Sequence, residues 1–327
     1  MLSVMASAPA KVILTGEHFV VYGEPAIVMA INRLVHVSVE EASSDAITIS
    51  STLGVAGSFK PAGFLHLVGD LETEKILNPI YIAAKSVLSF LGKRCGLNIK
   101  VDSQIPSSVG LGSSGAVAVA TVAAVGALFK ADLSKEEIAR LPYEAEKYVH
   151  VKPSGIDQMI CTYGGVIMYS KDKAISRLSV KTDIPLVIGN TGMQRITGNL
   201  VSAVKAKRDT FPMLMDQIIK SGGRVSVEAA ESLQNGDLDR LGELMNINHG
   251  LLSAIGVSTG SLDRLVNAAR SAQALGAKLT GAGGGGCMIA LSSPGNEDVI
   301  ASAINKAGGT PLKAKKIDDG VKAWVTK

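Results

Sequence analysis

The sequence predicts an α+β protein built as two domains, and three observations predict it. Alternating segments mark half-buried strands. In Leu97-Asn-Ile-Lys-Val101, for example, Leu97, Ile99 and Val101 share one face, with Asn98 and Lys100 on the other. Ala116 to Phe129 is rich in Ala and Val, nearly free of charge, and long enough for a buried helix. The chain has 327 residues, about two domains' worth. Its composition shifts at residues 171–183, where six Lys, Arg and Asp precede Pro185. We place the boundary there, giving domains 1–182 and 183–327.

Hydrophobic residues make up 46% of the chain, enough for a sizeable core. Lys and Arg number 33 against 29 Asp and Glu, a net +4, too mild for a nucleic-acid binder. Aromatics at 4% leave few platforms for stacking bases. Cys95, Cys161 and Cys287 are far apart, show no metal spacing and are odd in number, so no disulfide framework is expected. The N-terminus lacks a basic stretch and a long apolar core, so no signal peptide is expected. The longest uncharged apolar run, Gly115 to Phe129, falls short of the ~18 residues of a membrane span. The expectation is a soluble, cytoplasmic protein with no nucleic-acid or membrane partner.

Taken in order, Val12-Ile-Leu14 is a short strand entering Thr15-Gly-Glu-His18. Val35, Val37 and Val39 alternate with polar residues, and Ile47 and Ile49 repeat the pattern, which predicts an antiparallel pair. Residues 53–75 carry no assignable pattern. Asn78-Pro79 reads as a helix start, with Ile80, Ala83, Ala84, Val87, Leu88 and Leu91 on one face and Gly92 as the stop. Ser134 to Glu137 has the form of a capping box. Pro142 opens a helix bearing Glu144, Glu146 and His150, followed by a loop from Val151 to Asp157. In the second half, Leu186-Val-Ile188 is a strand. The chain then reads as helical from Asn199 to about Ala274, with breaks at Pro212, Gly222-Gly223, Asn235-Gly236 and Gly256. Short strands at 277–280 and 287–291 flank a glycine run. The last element predicted is a hairpin pairing 312–317 with 321–325 across Asp319-Gly320. The helical middle of the second domain offers a surface for a possible homodimer.

Four stretches carry chemistry. Pro106-Ser-Ser-Val-Gly-Leu-Gly-Ser-Ser-Gly115 lies between a strand and a helix. Gly110, Gly112 and Gly115 allow close backbone approach, and a helix N-terminus with Ser113 and Ser114 suits a phosphate. The stretch is neither a Walker loop nor a dinucleotide fingerprint, and a plain helix-capping turn is the alternative. In Pro9-Ala-Lys11, the lysine reads as a partner for phosphate or a reacting hydroxyl, or as a strand-edge residue facing water. His18 reads as functional or as a satisfied buried histidine. Lys278-Leu-Thr-Gly-Ala-Gly-Gly-Gly-Gly-Cys287 joins two strands, so its glycines imply that a backbone or ligand approaches closely. Glu146 and His150 share a helix face. Glu146 with a serine hydroxyl and phosphates suits Mg²⁺ better than Glu with His. Asp157 reads as an N-cap or as catalytic.

Together these stretches, in this order, resemble the signatures of the GHMP small-molecule kinases. Gly16-Glu-His-Phe-Val-Val-Tyr-Gly23, Asn190-Thr-Gly192 with Thr197, and Met245 to Leu252 resemble the branch acting on mevalonate. The resemblance spans residues 9 to about 291. It implies an N-terminal ribosomal-S5-domain-2-like domain, a C-terminal ferredoxin-like domain, and ATP and Mg²⁺ as cofactors. It places ATP against Pro106, Gly110, Leu111, Gly112, Ser113, Ser114, Gly115, Gly283 and Gly284, and Mg²⁺ at Ser114 and Glu146. It makes Asp157 the base and Lys11 its catalytic partner. Mevalonate is the implied acceptor, against Glu17, His18, Ser154, Thr197, Gly281 and Ala282. Gly115 and Phe19 depart from the alanines common at those positions. Arg195, Lys205, Lys207 and Arg208 form a basic cluster that reads as an attractor for an anionic substrate or as a solvated face. The rival readings are a kinase for phosphomevalonate or another small alcohol, and a non-catalytic nucleotide sensor on the same fold.

Overall fold

A computed structural model describes residues 2–105, 110–149, 155–170, 175–193 and 197–326, without the side chains of 149 and 197–199. The first half runs β1 (Ser3–Thr15), a 3-10 turn (Phe19–Tyr22), β2 (Ala26–Glu41), β3 (Ile47–Ser51), β4 (Val55–Lys60) and β5 (Gly63–Val68). It continues with α1 (Thr73–Phe90), β6 (Leu97–Ser103), α2 (Ser113–Leu128), α3 (Lys135–Arg140), α4 (Tyr143–Val149), α5 (Ile156–Tyr163), β7 (Val166–Tyr169) and β8 (Ser176–Leu178). The second half has β9 (Pro185–Asn190), α6 (Thr197–Thr210), α7 (Pro212–Asn235), α8 (Leu238–Ala254), α9 (Gly260–Ser271) and β10 (Gly276–Leu279). It ends with β11 (Cys287–Leu291), α10 (Glu297–Lys306), β12 (Thr310–Lys315) and β13 (Lys322–Thr326).

Two sheets organise these elements. The larger runs β13-β1-β2-β6-β3-β4-β5, with β7 beside the first half of β2 and β8 beyond it. The smaller runs β10-β11-β9-β12 and is antiparallel throughout. The α2 helix packs across β1 and β2. Its residues from Ala118 to Gly126 are all buried, as expected of a helix with no polar stripe. Along β1, Ala6, Ala8 and Ala10 are fully buried. This packing fixes the N-terminus of α2 against the middle of β1. No described helix is long and apolar enough to cross a membrane.

Several expectations change. The strands at 35–39 and 47–49 are not a pair, because β6 lies between them, antiparallel to β2 and parallel to β3. Alternation reports which face is buried, not which strand is next, and a parallel neighbour requires a crossover, here supplied through α1. Residues 53–75 hold the β4–β5 hairpin, where Phe59 stacks on Tyr81 at 4.3 Å, and the start of α1. That helix begins at Thr73, so Pro79 lies inside it rather than at its first turn. Gly92 does end it, at φ 63°, with Lys93 N–H donating to the Leu88 carbonyl. The capping box at Ser134 and Glu137 is present in both directions.

The α7 helix runs unbroken through Gly222-Gly223. A Cβ on Gly222 would lie 2.1 Å from the Phe19 ring, and one on Gly223 would lie 1.9 Å from the Glu24 carboxylate. Each glycine costs about 1 kcal/mol against alanine in a helix interior. Full burial of the Phe19 side chain offsets roughly 2 kcal/mol of that. The expected C-terminal hairpin is absent. β12 pairs with β9 in the small sheet, whereas β13 pairs with β1 in the large one. Asp319-Gly320 lies in the crossing between them, with Gly320 pressed onto the Thr162 carbonyl.

Candidate active site

The site begins at Lys11, in the middle of β1 and 7% exposed. Its backbone N–H donates to the Leu111 carbonyl at 2.9 Å, which ties β1 to the glycine loop before α2. Its Nζ lies 3.0 Å from Asp157 Oδ1. Asp157 is in the first turn of α5, after Gly155 at φ 75°. Two glycines of the loop make room for this ion pair. Gly112 has φ 74°, and a Cβ there would lie 2.7 Å from Lys11 Cγ. A Cβ on Gly115 would lie 2.8 Å from Asp157 Cβ. Alanine at 115 would therefore push on the aspartate. Gly112 offers no side-chain cap, so the positive end of α2, with Ser113 and Ser114 in its first turn, faces this pair uncapped.

Glu146 on α4 completes the acidic side and is 9% exposed. It lines one small pocket with Ser114, Gly115, Asp157 and Gln158. Gln158 Nε2 donates to Glu146 Oε2, while Gln158 Oε1 is buried with no hydrogen-bond partner among the described residues. Burial, and then the nearby Asp157 charge, push the Glu146 carboxyl up to about 7. A hydroxyl, a carboxylate and an orphaned amide oxygen around one cavity form an all-oxygen donor set. That chemistry fits a hard divalent cation such as Mg²⁺, which takes one or two carboxylates and completes its shell with phosphates and water. Among the described residues no group of three or more His, Cys, Asp or Glu forms a metal site by itself.

The opposite wall is made by the second glycine run. Thr280 Oγ1 accepts from Ile13 N–H at 3.0 Å, and His18 Nε2 lies 2.9 Å from the Ala282 carbonyl. A carbonyl only accepts, so Nε2 carries the proton. Burial lowers the His18 pKa, which keeps the ring neutral and leaves Nδ1 as an acceptor. The backbone at His18 is left-handed, with φ 61°. The glycine run is a structured turn. Gly284 N–H donates to the Val257 carbonyl and Gly286 N–H to the Met193 carbonyl. A Cβ on Gly283 would lie 2.2 Å from the Val257 oxygen, so the close approach expected here is made by backbone.

Beneath this wall lies a buried polar network whose connections the sequence does not reveal. Glu17, 1% exposed, is paired with the fully buried Lys278 and accepts from Asn248 Nδ2 at 3.1 Å. Next to it, Leu279 N–H donates to His249 Nδ1, and His249 Nε2 lies 3.2 Å from Asp263. Burial is the first cause holding His249 down at about 4, with Arg270 and Lys278 adding to it. The only sequence signal for this network is the Met245–Leu252 stretch together with a lysine leading a glycine run.

The four stretches thus meet. Lys11 reaches Leu111 and Asp157, Ile13 reaches Thr280, and His18 reaches Ala282. Gly110 precedes this loop at φ 88°, and Leu111 is buried. Pro106, His150, Ser154 and Arg195 lie outside the described residues, as does the side chain of Thr197 at the start of α6. The rest of the basic cluster is engaged locally. Lys205 pairs with Asp209, Lys207 donates to the Ile255 carbonyl, and Arg208 pairs with Asp216 beneath Tyr22.

Comparison with known proteins identifies the family and the fold. The GHMP kinases N terminal domain matches residues 78–165 and the GHMP kinases C terminal domain matches 229–310. A mevalonate kinase of Pyrococcus abyssi is 43% identical, covering 98% of this chain and 97% of its own. The solved mevalonate kinase of Methanococcus jannaschii superposes with a TM-score of 0.81 at 31% identity, over 96% of this chain and 98% of its own. That of L. major, in complex with R-mevalonate, gives 0.82 at 28% identity over 96% of each chain. The chain belongs to the GHMP kinases, in the mevalonate kinase branch.

Proposed function

We propose that the chain transfers the γ-phosphoryl of ATP to the 5-hydroxyl of (R)-mevalonate, giving 5-phosphomevalonate, with the reaction centred on Lys11 and Asp157. The observation that carries this reading is the 3.0 Å ion pair between them, set against the uncapped N-terminus of α2. The backbone of Gly110 to Gly115, with Ser113 and Ser114, cradles the ATP phosphates. Gly283 and Gly284 close the phosphate site from the other domain, and Gly281, Ala282 and His18 border the acceptor pocket, with Glu17, expected there from the sequence, buried behind them against Lys278 and Asn248. Ser154 and Thr197 are assigned to the same pocket by resemblance. In this reading residues 1–182 form the ATP-binding domain and 183–327 the second domain.

Phosphoryl transfer needs positioning and charge neutralisation more than covalent work. A primary alcohol is a poor nucleophile at neutral pH. The Lys11 ammonium favours its alkoxide, and the Asp157 carboxylate accepts the hydroxyl proton. The same ammonium stands 3.0 Å from Asp157 Oδ1. Ser114 and Glu146 would hold Mg²⁺, which, when bound, neutralises phosphate charge. His18, neutral and donating to Ala282, presents Nδ1 as an acceptor toward the acceptor pocket. One coupled assay tests the whole reading, with ATP against mevalonate, phosphomevalonate, homoserine and galactose. Turnover confined to mevalonate is the expected result. Turnover of another alcohol would reassign the substrate, and none with any alcohol would favour a nucleotide sensor.

A further inference from the structure

The residue after His18 is a phenylalanine, and the structure gives it an unusual seat. Phe19 is fully buried and opens the 3-10 turn Phe19–Tyr22, which packs on α7. Its ring fills a notch made by Gly222. A Cβ there would stand 2.1, 2.3 and 2.5 Å from three ring carbons, so no other residue fits without moving the ring. Glu24, at the far end of the same turn, fills the adjoining notch at Gly223. Phe19 belongs to the same buried cluster as Met215, Ile219 and Leu252, the core of the second half. Between the two anchors the backbone is tightly folded. Phe19 N–H donates to the Glu17 carbonyl, Val20 N–H to Gly16, and Val21 N–H to His18. His18 itself sits at φ 61° and ψ −42°, a conformation a residue with a Cβ adopts only when its surroundings impose it.

We infer that Phe19 and Gly222 are a matched pair of positioning residues that set the acceptor pocket, by holding His18 in its left-handed conformation with Nε2 on Ala282. The inference rests on the reading of His18 as a wall of that pocket. The physical chain is short. The ring can enter α7 only because Gly222 lacks a side chain. Its depth there fixes the start of the turn. The position of the turn forces His18 into the left-handed region, and that conformation carries the imidazole to the 282 carbonyl across the glycine run. The pair is seated in the core of the second half, so its influence is expected on the acceptor side.

The test is a double-mutant cycle of Phe19→Ala and Gly222→Ala in the full chain, with KM measured separately for acceptor and for ATP. Each single variant is expected to raise the acceptor KM about tenfold while leaving the ATP KM within about twofold. The double variant is expected to match the singles rather than multiply them, because residues in contact couple. Phe19→Leu, which keeps the notch filled, provides a milder member of the series should Phe19→Ala fold poorly, and its acceptor KM is expected between wild type and Phe19→Ala. Independent, multiplicative effects, or equal changes in both KM values, would overturn the inference. His18→Ala separates it from the underlying reading. If that variant leaves the acceptor KM unchanged, the role of His18 fails. If it raises the KM but the Phe19 and Gly222 variants do not, the positioning pair fails.

Discussion

Lys11 Nζ and Asp157 Oδ1 stand 3.0 Å apart, brought together from β1 and α5 across a loop whose Gly112 and Gly115 have no room for a side chain. In the proposed reaction the pair serves more than stability, because the end of the triphosphate would rest beside it on α2. Asp157→Asn keeps the shape and removes the proton acceptor, so kcat is expected to fall about 10²- to 10⁴-fold with ATP binding retained. Nucleotide titration alongside steady-state kinetics checks both halves. Turnover within a factor of a few of wild type would remove Asp157 from the chemistry. Gly112→Ala should lower kcat as well, because its methyl group would displace Lys11 and its φ of 74° disfavours any side chain.

Glu146 gives the enzyme a pH dependence of definite sign. Its carboxyl, pushed up to about 7 by burial and by Asp157, is protonated below that pH in the cation-free fold, with Lys11 opposing the shift. A divalent cation must displace that proton, so Mg²⁺ affinity is expected to weaken as pH falls through 7. Cation-free stability moves the other way. Between the ordinary carboxylate range and pH 7 the folded state binds more protons than the unfolded one, so stability is full at low pH and is lost as pH rises through 7. Melting temperatures from pH 5 to 9 should fall with rising pH in the absence of Mg²⁺ and flatten in its presence, because the bound cation keeps the folded carboxylate deprotonated as it is in the unfolded chain. Glu146→Gln should flatten the cation-free curve, and an unchanged slope in that variant would assign the effect elsewhere.

Much of this site was legible in the sequence because its stretches combine residue types that physical chemistry uses together. Lys11, Glu146, Asp157 and the Gly110–Gly115 loop could each be read locally as carrying a charge or a phosphate seat. The structure adds how they touch. The Gly222-Gly223 pair shows why local reading stops. Two glycines predict a helix break, but Phe19 and Glu24, some 200 residues earlier, occupy the space their missing side chains leave. Asp319-Gly320 fails for the same reason. The dipeptide is a good hairpin turn locally, but the open edge of β1 captures the strand that follows. Likewise Glu17 and Lys278 are ordinary charged residues until the fold buries them together.

That burial makes a sharp thermodynamic prediction. Glu17 is 1% exposed and Lys278 fully buried, each the other's counter-charge. Removing one partner strands a charge in a low-dielectric interior, and Glu17→Met or Lys278→Met alone should cost about 3–5 kcal/mol. The double Glu17→Met, Lys278→Met variant removes both charges and should be clearly more stable than either single variant. Urea unfolding of the four proteins closes the cycle. Single variants as stable as wild type would mean that the pair exchanges with water and is not the buried pin seen here.

The last strand supplies a test of how the two halves are joined. β13 leaves the small sheet's neighbourhood and pairs with residues 3–7 of β1 in the large one, carrying the only tryptophan, Trp324, edge-on to His36 at 6.5 Å. Ending the chain after Gly320 would expose the N-terminal half of β1 as an unpaired edge, with Ala6 and Val4 flanking it. Such an edge is a template for strand pairing between molecules. The shortened protein is therefore expected to melt several degrees lower and to scatter light on heating, while Lys11, farther along β1 and still held by β2, keeps its place. Trp324 emission in the full chain should report the same transition as far-UV circular dichroism. A shortened chain with a Tm within about one degree of the full one would show β13 to be an ornament on the sheet rather than its closing strand.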